Sequence, residues 1–554
     1  MTDHSISRRA QSRDDTTRYL CAATQLDAKY ADDAIREFLV ERTRSVTPSP
    51  GTDATAVLGE AVAARARRKY RDGALAVLAI VVLFTAPVGL LVGWLVVGLL
   101  ASVSLLGKGL KTLVRRTNAI PVVIGAAAVV LLVVYGPDLY EALLDSSSSS
   151  SRSRRSSSSS ASEGELVVAL VMMGGMLAAL IADRLIVHWH LTRRLGWNSG
   201  PVTDPLTDER PVLSASRTFM RELRRIADAE REGRTQESAS LVVYRGFSPF
   251  VGAGREYRPW SIAVPLHPVP GKEQKYLSTE ALYTGIRESL GGLGRATPLT
   301  PSERLRALRI ADQVVVPAEE LIDHIADPAS RMVLEGLGHP PRPTLASEDM
   351  TRLRANPEEW ARYYLCVQVE TWDRELVLSV FIHAAMDDTT LYVEWTPCVL
   401  MPIKREYQEI DQLAPVSPKP VFEALLRMLR MPLTILPSTV KLLTMIRPIR
   451  QRPGFVDPRV YGSLRSLREM AADDTVHNYL QLADIDRYLK ILNSRFVPAV
   501  SKLLTDSGFS AEGFVQQAVV VNYRSLHIGG NATGNFNLGD NAMLSDITTP
   551  GGTT

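Results

Sequence analysis

Between Ala74 and His188 the chain carries three long apolar runs: Ala74–Gly107, without a charged residue, then Ile120–Gly136 and Leu166–His188. No other feature restricts the fold as strongly. A helix needs about 20 apolar residues to cross a hydrocarbon core of ~30 Å, and no water is present there to satisfy an open backbone. The second run reaches that length with its flanks. The third exceeds it, with Asp183 and Arg184 near one end. As one helix the first run would measure roughly 50 Å, too long for an upright span. Thr85-Ala86-Pro87-Val88-Gly89 offers a place to turn back, because proline removes a backbone donor and glycine permits the turn.

Charge bookkeeping selects the topology. Arg65, Arg67, Arg68, Lys69 and Arg71 precede the block, Lys108, Lys111, Arg115 and Arg116 follow the first run, and Arg193 and Arg194 follow the third. The loop after the second run is acidic on balance, with Asp138, Glu141, Asp145, Glu163 and Glu165. Basic flanks stay in the cytoplasm. All three remain inside only if the first run is a hairpin, and a single tilted span would export Lys108–Arg116. The expected fold class is therefore an α-helical membrane anchor, a hairpin plus two spans, in a multi-pass inner-membrane protein with both termini cytoplasmic.

The rest of the chain fits that setting. With 554 residues it has room for two or three domains, and a net charge of +3 offers no electrostatic reason to expect nucleic acid. Cys21, Cys366 and Cys398 lack CxxC spacing, so neither a disulfide framework nor a zinc site is expected. No apolar run precedes residue 70, so the first apolar run is read as the insertion signal. Residues 1–72 read as a helical cytoplasmic arm: Leu20, Ala23, Leu26, Ala31, Ile35, Phe38 and Leu39 fall at helical spacing, and Asp53 is suited to cap a second helix. The membrane region is 73–190. It contains the serine- and arginine-rich loop 146–163, whose composition predicts disorder. A linker, 191–212, leads to the soluble domain, 213–410.

In that domain the pattern predicts a charged helix over Ala215–Gly233 and strands at Leu241–Tyr244, Trp260–Leu266 and Ala307–Val316. A helix is expected over Ser278–Leu290, and another begins at Pro317. Tyr363–Trp372, Leu376–Ala384 and Thr389–Trp395, joined by the polar turns Asp373-Arg374 and Asp387-Asp388, read as an antiparallel meander. The whole is a cytoplasmic α+β domain containing that meander. A helical region, 411–515, includes the long amphipathic helix Asp484–Ser507, and 516–554 is a Gly/Asn-rich tail.

Two stretches suggest binding surfaces. Across 421–452, apolar residues such as Phe422 alternate with Arg427, Arg430, Lys441, Arg447 and Arg450, against the one acid Glu423. An in-plane membrane helix needs an apolar face beside a basic one, and a pair of core helices with basic ends produces the same pattern. In the tail, Ile528, Gly530, Asn531, Gly534, Asn535, Phe536, Leu538 and Gly539 repeat a Gly-Asn theme with apolar residues between. Such a segment folds as short strands joined by tight arcs, and copies of it can stack into a cross-β assembly. It resembles the amyloid-signalling tails of bacterial and fungal immunity and cell-death proteins. That resemblance implies self-assembly with a partner; the alternative is an extended tail or one β-arch packed on its own domain.

Catalytic signatures are weak. Gly252-Ala253-Gly254 is followed by Arg255-Glu256-Tyr257, without the third glycine or helix start of a nucleotide loop. His188-Trp189-His190 alternates directions on a helix, His383 falls in a strand, and Asp323-His324 has no evident partner. No cofactor or metal is expected. The segment Ser248-Pro-Phe-Val-Gly252…Trp260, with the meander after it, resembles uncharacterised membrane proteins of high-GC bacteria over roughly 200–400. No activity comes with that resemblance. The leading expectation is a non-enzymatic membrane protein with a cytoplasmic partner- or ligand-binding domain. The alternatives are a membrane-acting immunity effector assembled through its tail, and an enzyme using the Gly246–Gly254 loop with Arg255, Glu256 and His267. The expected partners are the lipid bilayer and either a protein or further copies of the chain.

Overall fold

The meander is the centre of a larger sheet. The computed structural model describes residues 15–85, 159–196, 214–235, 239–295, 305–431 and 457–527, apart from 42, 48, 306, 335, 337, 338, 356, 429 and 458. Described residues form two compact units: 15–63 with 214–410 and 457–527, and 64–196 with 411–431.

The strands of the first unit are β1 (Ala239–Tyr244), β2 (Arg255–Glu256), β3 (Trp260–Pro265), β4 (Leu308–Pro317), β5 (Thr344–Leu345), β6 (Arg362–Thr371), β7 (Leu376–Met386) and β8 (Thr390–Leu400). They form one eight-stranded sheet in the order β2-β8-β7-β6-β4-β1-β5, with β3 also paired to β8. Every pairing is antiparallel except that of β1 with β4. Side chains alternate faces along a strand. Tyr363, Leu365, Val367 and Val369 of β6 therefore join the main core, while Tyr364 and Cys366 point the other way. The polar turn after β7 closes as expected: the Asp387 carboxylate accepts the N–H groups of Thr389 and Thr390 at 2.8 and 2.7 Å. The β6–β7 turn is less ordinary, with Trp372, Asp373 and Arg374 all at positive φ.

Helices α6 (Thr279–Arg295), α8 (Ser347–Ala355), α11 (Tyr479–Asp506) and α12 (Glu512–His527) belong to this unit. Helix α6 is capped by Ser278 as the serine predicted, and Pro317 starts α7 (Ala318–Asp323). Leu282, Ile286 and Leu290 of α6 and Ile485, Leu492, Phe496 and Val500 of α11 pack on the sheet, with Phe496 against Trp395. Beneath α6 and α8, Asp312 pairs with Arg287 at 2.5 Å and Arg354 at 2.8 Å, and the Tyr363 hydroxyl donates to it. This pairing satisfies a carboxylate on a strand bordered by core. His324 also has partners, contrary to expectation. Its ring bonds Asp327, three residues on, at 2.8 Å and stacks on Trp360.

The N-terminal helices α1 (Asp15–Leu26) and α2 (Ala28–Ile35), with the π-turn Arg36–Val40, are expected as an arm of their own but lie within the same compact unit. Asp53 caps α3 (Ala54–Thr85) by accepting the Ala56 N–H. Glu230 of α5 (Ser214–Thr235) accepts from Ala54 and Thr55 at its start. Tyr30 donates to the Leu467 carbonyl, and Tyr407 donates to Asp27. The fully buried Arg468 of α10 (Leu467–Ala471) donates to the carbonyls of Pro50, Arg374 and Glu375, tying the N-terminal segment to the strained turn.

In the second unit α3 continues from Ala64 to Thr85, and α4 covers Ser159–Arg194. Among the described residues Val171–Arg194 is the one helix long and apolar enough to cross a membrane, and only 22% of its apolar window is buried. The proposed turn at Pro87, the rest of the first run, the second run and most of loop 146–163 lie outside the described residues. Leu75 and Val82 of α3, Met176 and Leu180 of α4, and Ala424, Met428 and Met431 form one apolar cluster. Asp183 and Arg184 do not pair locally. Asp183 is held by Arg67 and, at 3.1 Å, by Arg71, and Arg184 reaches Glu423 at 3.2 Å.

Candidate functional site

The second face of the sheet is where the first unit offers chemistry. Its inner part is closed by the loop after β1. Phe250 stacks on Phe381 with ring centroids 4.4 Å apart and meets Tyr364 edge-on, joining Val251, Ala253, Val315, Cys366 and Cys398. Beyond Phe250 the face opens and turns polar. Arg362, Tyr364, His383, Glu394 and Tyr392 share it by strand alternation, and His383 lies directly opposite Glu394 in the β7–β8 register.

Within this strip Glu394 accepts from Arg362 at 3.4 Å and Tyr364 at 3.5 Å, both long for hydrogen bonds. Arg362 and Tyr392 are exposed, and His383 and Glu394 half-buried. The His383 Nδ1–H donates to the Tyr363 carbonyl at 2.8 Å, which leaves Nε2 as a lone-pair acceptor. Burial lowers the His383 imidazole below its ordinary value, against the pull of that hydrogen bond and of Glu394. Burial likewise raises Tyr364 to about 12 and Cys366 to about 12, and raises Cys398 as well. The thiols and the phenol are therefore protonated near neutrality and are poor nucleophiles. An acceptor, a carboxylate, a guanidinium and an exposed ring suit recognition by hydrogen bonding and stacking.

The glycine loop already holds an anion, one belonging to the chain itself. Glu469 Oε1 accepts the N–H groups of Gly252 at 2.8 Å and Gly254 at 2.9 Å, while Oε2 accepts that of Ser466 at 2.7 Å. Gly252 and Gly254 both have positive φ, and a Cβ on Gly254 would come within 2.2 Å of the Val399 carbonyl. The loop thus presses against β8 with its amides turned to Glu469, as a concave backbone nest does for an anion. Burial pushes the Glu469 carboxyl up, and the three N–H groups pull against that shift. Arg255 pairs with Asp474 at 2.8 Å, Glu256 is raised by burial and bonds Ser248, and the His267 carbonyl accepts from Ser510. Arg255 and Glu256, consecutive on a strand, point to opposite faces. The Ser466-Leu-Arg-Glu469 spacing is a capping-box signature that sequence reasoning passed over.

Of the proposed membrane-contact residues, Phe422 and Arg430 are exposed and Arg427 is half-buried, all in the helical residues 419–428 and 430–431. Ala424, Met428 and Met431 of that stretch face α3 and α4. Lys441, Arg447 and Arg450 lie outside the described residues, as do all the tail residues proposed for self-assembly, Ile528, Gly530, Asn531, Gly534, Asn535, Phe536, Leu538 and Gly539. His188 bonds the Ala414 carbonyl at 2.9 Å, Trp189 is exposed, and no metal-binding cluster occurs among the described residues.

This is a mixed α/β domain on a large, mostly antiparallel sheet, with one face packed by helices and the other partly open. Residues 259–537, about half of the chain, match the AbeC-like domain, and the chain belongs to that family. The match starts beyond the Ser248–Gly252 segment and runs through α12, further toward the C-terminus than the 200–400 resemblance implies. No curated protein and no solved structure matches the chain.

Proposed function

We propose that the chain is a non-enzymatic, multi-pass membrane protein of the inner membrane, with both termini cytoplasmic, whose AbeC-like domain binds a partner or ligand on its open sheet face. The observation that carries the binding reading is the polar strip of Arg362, His383, Tyr392 and Glu394, solvent-accessible beside a closed apolar patch. The filled glycine nest argues against the enzymatic alternative, since its amides are committed to Glu469. For the membrane reading, support comes from the apolar window of α4 and the basic flanks of the three runs.

The test combines topology with cross-linking in the full chain. Cysteines placed at Lys108, Ser150 and the C-terminus should be labelled from the inside, the outside and the inside respectively. A photo-crosslinking residue at Tyr392 should form a discrete adduct in cells that Arg362→Glu abolishes. No adduct, or one indifferent to Arg362→Glu, would reject the open face as the binding surface.

A further inference from the structure

Helices α3 and α4 change character at the same level. On α3 the arginines Arg67 and Arg71 precede the apolar residues beginning at Ala74, and on α4 Asp183 and Arg184 interrupt the apolar run, which resumes over Leu185–Val187. The ion pairs of Asp183 with Arg67 and Arg71 lock these two levels together. From there the helices run antiparallel, with Leu75 and Val82 packed with Met176 and Leu180. Val77, Ile80, Phe84 and Val171 are exposed along the same length. The result is a bare apolar flank with a layer of guanidiniums at one end.

Among the described residues Arg67 and Arg71 pair with Asp183, Arg71 also with Asp72, and Arg184 with Glu423. Arg427, one helical turn after Glu423 and half-buried near Arg71 and Arg184, makes no ion pair and no hydrogen bond among them. Burial, and then those two guanidiniums, push it down to about 10 against the pull of Asp183 and Asp72, so it keeps its charge at neutral pH. A second sign is independent of the first. Arg184 Nε is buried and makes no hydrogen bond in the structure, though its Nη1 holds Glu423. A half-buried cation that makes no ion pair and a buried donor without an acceptor are both costly. A phosphate oxygen placed between Arg184 and Arg427 would satisfy both.

The geometry points to a site for the phosphodiester of an anionic phospholipid, bound by Arg184 and Arg427, with its acyl chains along Val77, Ile80, Phe84 and Val171. This rests on the membrane reading above and adds a ligand class to it. Free phosphate shares the headgroup chemistry, but only a lipid also covers the apolar flank, and basic pockets between membrane helices take such headgroups.

The full-length protein in neutral detergent would be titrated with short-chain phosphatidylglycerol, short-chain phosphatidylcholine and inorganic phosphate, with binding followed by thermal stabilisation. Phosphatidylglycerol should bind saturably and phosphatidylcholine much more weakly. Arg427→Gln and Arg184→Gln should each weaken phosphatidylglycerol by about tenfold, the loss of one charge-assisted hydrogen bond. The exposed Arg459→Gln should change nothing. Without lipid, Arg427→Gln should be at least as stable as the wild type, because it removes a repelled charge; an arginine with a merely structural role would lower stability. Equal binding of the two lipids, unchanged affinity in Arg427→Gln, or displacement of phosphatidylglycerol by inorganic phosphate would each overturn the assignment. Membrane fractionation reads the other claim separately. A chain that stays out of the membrane fraction rejects the membrane reading, whereas a membrane-embedded chain with no lipid preference rejects only this site.

Discussion

Replacing Glu469 by alanine tests whether the glycine loop is held by the chain's own carboxylate. The substitution strips acceptors from three backbone N–H groups at once, those of Gly252, Gly254 and Ser466. Each buried donor left without a partner costs about 1–3 kcal/mol. The loop end at Gly254 is only half-buried and can take up water, so the low end applies, about 3 kcal/mol in all. For a unit of this size that lowers Tm by roughly 6–12 °C. Glu469→Gln keeps one oxygen for the loop but turns an amide N–H₂ toward Ser466 or the glycines, losing about one bond and roughly 2–4 °C. The pH dependence supplies an independent sign. With its folded pKa raised, Glu469 favours the fold most at low pH, and that contribution is lost as pH rises from the ordinary carboxylate value through the folded one. Wild-type protein should show this slope and Glu469→Gln should lack it. Amide exchange at Gly252 and Gly254, slow in the wild type, should accelerate in Glu469→Ala. A Tm within 1 °C of wild type with unchanged exchange at both glycines would refute the claim that Glu469 holds the loop.

The remaining expectations are more compact. His383 has a folded pKa below its unfolded value near 6.5, so its contribution is complete above that pH and is lost as pH falls through the folded pKa; His383→Gln should flatten this acid limb in a Tm series. Arg468→Met removes the donor to three carbonyls and should cost about 3–5 kcal/mol, seen as a loss of Tm together with faster exchange in the β6–β7 turn. Cys21, Cys366 and Cys398 are buried, so a thiol reagent should be silent on native protein and titrate all three in denaturant. A peptide of residues 520–545 should bind thioflavin if the Gly/Asn tail assembles; a soluble, monomeric peptide would remove that reading.

The meander was legible because two signals agree in it. Residues 363–369 alternate cleanly, and polar turns bound each strand. What could not be read was where the meander sits. Strand β1 pairs in parallel with β4 across an intervening α6, and β7 is buried on both faces over Leu376–Ile382, so the position of β1 next to last in the sheet leaves no periodic trace. The two-residue strands β2 and β5 are too short for any pattern. The N-terminal helices illustrate a different limit. Their apolar stripe says that they pack, but the segment they meet lies some 400 residues away in sequence, with Tyr30 donating to the Leu467 carbonyl and Arg468 donating to Pro50 just beyond them, and no local rule anticipates that.

The glycine loop and the arginine layer show opposite outcomes of one physical rule. Both present converging donors: backbone amides in the first, guanidiniums in the second. The chain answers the first within itself by setting Glu469 at the third position of a capping box, so that one carboxylate caps α10 and fills the nest. In the second, Asp183, Asp72 and Glu423 pair with Arg67, Arg71 and Arg184, and among the described residues no carboxylate forms an ion pair with Arg427. A donor cluster closed by its own chain is structural, and its removal is read as lost stability. One that keeps a cation without an ion pair at the edge of an exposed apolar flank gains stability from a ligand, so its ligand should raise Tm more in the wild type than in Arg427→Gln. That contrast in sign separates a scaffold feature from a binding site even before the ligand is known.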